Sequence, residues 1–191
     1  MEQKGFYRQK INKLFRESSL SQSYKDESEK RVYEAVISSK EYRESEFIFL
    51  YMARKDELSV ASIINESFKL GKKVLLPRII PNTNRMDFYF VKPEDFDEKV
   101  QIGSYEILEP DDTNEKLIIS SIKEKSYIII PGRCFTKNGK RLGRGKGFYD
   151  VFLKQMKMNT KCFLCGVCYD FQIEEDFPTD ENDINMDLVL C

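Results

Sequence analysis

Apolar residues recur along this chain with two distinct spacings. Over residues 4–15, Tyr7, Ile11, Leu14 and Phe15 return on one helical face, and over 21–39 Val32, Ala35 and Val36 do so together with Tyr33 and Ile37. From Glu46 the helical spacing stops, and FIFLYM forms a short continuous apolar run that suits a strand covered on both faces. A helix is predicted from about Ser59, whose hydroxyl can cap it, to Leu70, with Gly71 as its left-handed stop. KVLLP then gives a second buried strand, residues 86–91 a third, 117–122 a short helical segment, and YIIIP at 127–131 a buried strand ending in proline. Residues 148–158 read as a helix, 163–169 as another strand, and the closing DLVLC as a last short one. Strands alternating with helices predict an α/β fold, a single three-layer domain over residues 1–191 with a mostly parallel sheet and helices on both faces. Ligands in such folds collect at the carboxyl ends of the strands, here the segments after Tyr51, Pro77 and Pro131.

Composition narrows the chemistry. The 191 residues hold no histidine, which excludes Ser/His/Asp and Cys/His triads, His-based zinc sites, His-ligated haem and any imidazole proton shuttle. Lys and Arg number 31 against 32 Asp and Glu, so the whole protein exerts no attraction on nucleic acid or an anionic membrane, and any basic function is local. No apolar run approaches the roughly 20 residues that span a bilayer. The five cysteines are an odd number, and the first ten residues lack the apolar core of a signal peptide, so a reducing cytoplasm is the expected location. Three of them form a C-x-x-C-x-x-C run at 162–168, but no fourth cysteine followed by proline completes a ferredoxin pattern. On a strand, Cys162 and Cys168 would share one face and Cys165 the other, so buried structural thiols are expected in place of a metal cluster.

The segment richest in chemistry is KNGKRLGRGKGFYD at 137–150, between the strand YIIIP and a helix. Lys137, Lys140, Arg141, Arg144 and Lys146 are interleaved with Gly139, Gly143, Gly145 and Gly147. Glycines let a backbone approach phosphate closely, a following helix start adds partial positive charge, and Arg grips phosphate oxygens in pairs. The spacing matches neither the P-loop nor the dinucleotide fingerprint. Read locally, the loop fits polyphosphate binding first, with a solvated surface loop and a nucleic-acid contact as the alternatives.

The order of these residues resembles the 5-formyltetrahydrofolate cyclo-ligases, also called methenyltetrahydrofolate synthetases. Their hallmark is an apolar strand, P-G, a Phe, a turn with Gly, R-L-G-x-G-x-G, an aromatic, Tyr and Asp, and here it reads PGRCFTKNGKRLGRGKGFYD. Further parts follow in order across nearly the whole chain: Lys4 and Arg8, Leu50 and Glu57, GKKVLLPR, the pair Met86 and Asp87, EP at 109 and 110, Gln172, and NDINMD. Two positions depart from the pattern. Thr136 stands where the family usually has Asp, which preserves loop anchoring and weakens any role in metal or proton handling, and Phe148 stands where Tyr is also common.

The resemblance implies an enzyme that couples ATP hydrolysis to closure of 5-formyltetrahydrofolate into 5,10-methenyltetrahydrofolate. It implies that Lys4, Arg8, Arg141, Leu142, Gly143, Arg144, Gly145, Lys146, Gly147, Phe148 and Tyr149 bind ATP, with Arg144 and Lys146 catalytic and Arg144 on the transferring phosphoryl group. Leu50, Glu57, Phe148 and Tyr149 would face the folate, and Asp150 and Asp183 would hold Mg2+. The implied partners are the reduced folate and ATP, bound by a monomer, with no membrane and no nucleic acid. Without the resemblance, Lys4 and Arg8 read as solvated charges, Glu57 as a surface carboxylate, Asp183 as a turn residue, and Leu50 and Tyr149 as core. Two alternatives stay open: a homologue that binds folate and ATP with little or no turnover because of Thr136, and an RNA-binding accessory protein using the Arg/Gly/aromatic loop.

Overall fold

A computed structural model describes residues 2–17 and 20–191. The helical spacing of the first forty residues produces α1 (Glu2–Glu17), α2 (Gln22–Ser38) and a short α3 (Lys40–Glu44). Ser21 caps α2 by accepting the Tyr24 N–H at 3.2 Å, and Ser39 ends α2 and caps α3 by accepting the Tyr42 N–H at 3.2 Å. The apolar run FIFLYM is a strand only over β1 (Phe47–Phe49), but the Leu50 N–H still donates to the Leu75 oxygen at 2.9 Å, and Leu50 and Tyr51 stay buried. Helix α4 (Ala61–Lys69) starts later than predicted. Val60 is its N-cap and gives no side-chain cap, while the Ser59 hydroxyl accepts the Ala61 N–H at 3.3 Å in a local turn. Gly71 does take the left-handed conformation, at φ 65°.

The rest of the chain adds β2 (Lys73–Ile79), β3 (Met86–Val91), α5 (Phe96–Lys99), β4 (Val100–Ile102), β5 (Leu108–Pro110), β6 (Ser126–Pro131), β7 (Cys134–Phe135), β8 (Arg141–Leu142), α6 (Phe148–Asn159), β9 (Cys162–Val167) and β10 (Leu188–Leu190). Residues 117–122 contain a single 3-10 turn, Ile119–Ser121, where a short helix was expected. Six strands form one sheet in the order β10-β9-β6-β1-β2-β3, parallel throughout except for the edge strand β3, which runs antiparallel to β2.

Strand alternation divides the core into two layers. Ile48, Val74, Leu76, Tyr127, Ile129 and Cys165 meet Val32, Val36, Tyr42, Ile63 and Ile64 from α2, α3 and α4. Their neighbours Phe47, Phe49, Leu75, Ile128, Ile130 and Leu164 meet Phe152, Leu153 and Met156 of α6. The fold is therefore a three-layer α/β arrangement. Cys165 belongs to the first layer, and Cys162 and Cys168 to the second, so the sheet separates the cysteine run. Helix α1 packs away from the main sheet, with Ile11 against Cys134 and Leu142 of a small β7–β8 ribbon.

Phe152 anchors the α6 layer, its ring 4.3 Å from that of Phe88 and 5.8 Å from that of Phe49. Phe152→Ala is expected to lower unfolding stability by about 3–5 kcal/mol, read from the midpoint of urea denaturation. An unchanged midpoint would contradict this packing.

Candidate active site

The carboxyl ends of β1, β2 and β6 open into a cavity of about 270 Å³. Its floor is set by the β7–β8 ribbon, whose turn is built by Thr136. The Thr136 hydroxyl accepts the Lys140 N–H at 3.1 Å, and the residue is buried and does not line the cavity. Gly139 in that turn has φ 90°, and a Cβ there would lie 2.3 Å from the Met186 carbonyl oxygen, so only glycine admits the close approach. The Met186 N–H donates to the Gly139 oxygen at 2.8 Å, which brings the segment carrying Asp183 beside the ribbon.

Buried Arg141 leaves the ribbon and braces the glycine loop. Its Nε donates to the Pro131 oxygen at 3.0 Å and its Nη1 to Asp150 Oδ1 at 3.1 Å, with the guanidinium 5.1 Å from the centre of the Tyr149 ring. Arg8 reaches across from α1 to donate to the Gly143 oxygen at 2.9 Å. Gly145 and Gly147 hold left-handed backbone at φ 97° and 75°, and Gly147 caps the start of α6 beside Asp150. Residues 143–147, the first turn of α6 and the Leu142 strand end all line the cavity, so the expected phosphate-binding residues from Arg141 to Tyr149 are brought together.

Several cations at and around this site are engaged by carboxylates. Arg144 donates to Asp56 through Nη2 at 2.6 Å and Nη1 at 3.2 Å, and to Glu57 Oε1 through Nε at 3.1 Å and Nη2 at 3.0 Å. Lys4 lies outside the cavity lining and binds Asp183 at 2.5 Å and Asp180 at 2.7 Å. Lys146 lines the cavity, is exposed, and has no ion pair among the described residues. Asp150 and Asp183 both line the cavity, which suits Mg2+: that ion takes one or two carboxylates and completes its shell with phosphate oxygens and water. Among the described residues no group of three His, Cys, Asp or Glu forms a metal cage.

Beyond the loop, the cavity wall is largely aromatic and apolar. Phe148 and Tyr149 line it as expected, and Glu57 sits between them and the cations, its Oε2 accepting the Arg54 N–H at 3.1 Å. Leu50 does not. Its side chain is fully buried with Ile48 and Leu58 in the first core layer, because strand alternation turns it away from the opening, and Tyr51 and Met52 take that place. The strand-end rule pointed to the segment after Pro77, and Pro77 and Ile79 line the cavity; Tyr105 and Ile107 were not expected there, and Met86 and Glu109 had no assigned role. Glu109 accepts the Ile79 N–H at 3.4 Å, and burial raises its carboxyl, partly offset by the N–H groups of Ser104 and Ile79. Burial likewise raises the phenols of Tyr51 and Tyr149, which stay neutral.

A parallel α/β sheet whose carboxyl edge joins a cationic glycine loop to an aromatic wall defines an enzyme site for an anionic group attached to, or beside, a flat ligand. The chain belongs to the 5-formyltetrahydrofolate cyclo-ligase family, whose family model matches residues 1–191. It is 30% identical to the mouse 5-formyltetrahydrofolate cyclo-ligase over 185 residues, covering 96% of this chain and 88% of that protein. With the Saccharomyces cerevisiae 5-formyltetrahydrofolate cyclo-ligase it shares 28% identity over 181 residues, 84% of this chain and 82% of that one. The solved structure of Aquifex aeolicus 5,10-methenyltetrahydrofolate synthetase superposes with a TM-score of 0.77 at 29% identity, covering 98% of this chain and 88% of that chain. A Mycoplasma pneumoniae synthetase structure, 24% identical, shares the fold with a TM-score of 0.71 over 98% of this chain and 97% of that one.

Burial works against the charge on Asp56, but the hydrogen bond and charge of Arg144, with Arg133 behind it, outweigh burial and hold the carboxyl below its ordinary value of 3.8. A depressed folded value means that this contact contributes stability above the ordinary carboxylate pKa and loses it as pH falls through the folded value. An NMR titration of the Asp56 carboxyl is expected to give a midpoint below 3.8, moved upward by Arg144→Met. A midpoint at or above 3.8 in the unsubstituted protein would contradict the pairing.

Proposed function

We propose that this protein uses ATP to close 5-formyltetrahydrofolate into 5,10-methenyltetrahydrofolate, releasing ADP and phosphate. The observation that carries the reading is the joining, in one cavity, of the glycine loop 143–147 to the wall of Phe148 and Tyr149, with Glu57 at the junction. A formamide oxygen is a poor leaving group, so the reaction needs activation. The formyl oxygen attacks the γ-phosphorus of ATP; the new O–P bond forms as the bond to the β–γ bridging oxygen breaks and ADP departs. Nitrogen-10 then attacks the formyl carbon and loses its proton, and the C–O bond breaks to release phosphate.

This chemistry demands positioning and neutralisation of negative charge, which Arg, Lys and backbone N–H groups supply without imidazole. In this reading Lys146, Arg144, Arg141, Arg8 and the N–H groups of residues 143–147 hold the polyphosphate, and Lys4 acts from behind by setting Asp183. Asp150 and Asp183 would hold Mg2+, which when bound offsets charge on the phosphates. Glu57 accepts hydrogen bonds from the pterin amino group and ring N–H, and Phe148 and Tyr149 give its flat face an apolar wall. The Thr136 hydroxyl accepts the Lys140 N–H in the ribbon turn outside the cavity, which supports a loop-anchoring role for that position. Among the described residues no helix is long and apolar enough to cross a membrane. We take the protein to act as a monomer in a reducing cytoplasm, the compartment its unpaired cysteines suit.

Mixing the protein with Mg-ATP and 5-formyltetrahydrofolate is expected to give the near-ultraviolet absorbance of the methenyl product, and chelation of the metal is expected to stop it. Arg144→Ala and Lys146→Ala should each lower kcat by about 100-fold or more. Folded protein that forms no product at high enzyme concentration would refute the proposed reaction.

A further inference from the structure

Arg144 is held by two carboxylates with different further partners: Glu57 also accepts the Arg54 N–H, and Asp56 also accepts from Arg133. Glu57 Oε1 takes two of its N–H groups, yet in the reaction proposed above the same carboxylate must turn to the pterin. Asp56 has no such second task and is fixed from behind. Its Oδ2 accepts from Arg133 Nη1 at 2.7 Å, and the Asp56 backbone oxygen lies 3.5 Å from the same nitrogen. Arg133 is itself buried, donates to Asn12 of α1, and has the Phe15 ring 4.9 Å from its guanidinium carbon. Asp56 thus presents an anchored fork to Arg144, Oδ1 to Nη2 at 2.6 Å and Oδ2 to Nη1 at 3.2 Å.

We propose that Asp56 is the positioning residue for Arg144, set in place by buried Arg133, and that it keeps the Arg144 guanidinium aimed at the phosphoryl group when Glu57 exchanges Arg144 for the folate. The inference rests on the reaction proposed above. It assigns Arg133 a role at one remove: its planar fork fixes Asp56, and a lysine would keep the charge without the geometry. The consequence is order. Folate binding withdraws one carboxylate from Arg144, lowering the negative charge around it as its phosphate partner arrives, while Asp56 prevents the long side chain from swinging away.

The test compares Asp56→Asn, Arg133→Lys and the double variant. Asp56→Asn is expected to lower kcat by about 10- to 100-fold, the scale of a misplaced catalytic group, with KM for the folate nearly unchanged. Arg133→Lys should lower kcat less and add nothing in the Asp56→Asn background, because both act along one route to Arg144. Independently of turnover, NMR of the Arg144 Nη1–H groups, which face Asp56, should show slow exchange with solvent in the unsubstituted protein and clearly faster exchange in each single variant. If the unsubstituted protein makes no methenyl product, the reaction is wrong, and the exchange measurement still decides the clamp. Unchanged Arg144 exchange in Asp56→Asn, an unchanged kcat for that variant in a protein that turns over, or losses that multiply in the double variant would overturn the proposal.

Discussion

Positive charge cannot be crowded into a small volume without anions to meet it, and this constraint organises the carboxyl edge of the sheet. Lys140, Arg141 and Arg144 fall within five residues of one another, and Arg8 is brought against the same loop from α1. Three ribbon and loop cations have carboxylate partners: Asp176 for Lys140, Asp150 for Arg141, and Asp56 with Glu57 for Arg144. Those partners come from the segment after β1, the first turn of α6 and the return toward β10. The charges therefore staple distant parts of the chain around one opening. In the proposed reaction the polyphosphate meets cations that these carboxylates already hold in place.

The apolar side of the design is simpler. Alternation along β1, β2, β6 and β9 sends successive residues to opposite helix layers, leaving the strand ends to open on solvent. That arrangement fixes Leu50 in the core and hands the cavity to Tyr51 and Met52. It also explains why three cysteines at threefold spacing stand on two faces of the sheet.

Much of this was legible in the residues. The long helices, the buried strands KVLLP and YIIIP, and the last strand follow from period and from proline or glycine boundaries. The loop 141–149 was readable because its glycines and cations are contiguous. What escaped was set by tertiary contact. The β4–β5 and β7–β8 ribbons have strands of only two or three residues, too short for an alternating pattern. Tyr105, half exposed and left-handed at φ 57°, carries no local mark that it closes the cavity near Phe148. Asp56 was invisible for a related reason: its meaning comes from Arg133 and Arg144, which lie 77 and 88 residues away.

In the proposed reaction Glu57 gives way to the ligand while Asp56 stays on Arg144. A crystal structure with Mg2+, a non-hydrolysable ATP analogue and the folate bound together tests it most directly. Phosphate oxygens should lie on the N–H groups of residues 143–147 and on Lys146, with the Glu57 contact to Arg144 broken and the Asp56 contact kept. A nucleotide bound elsewhere, with every one of those ion pairs intact, would contradict the account.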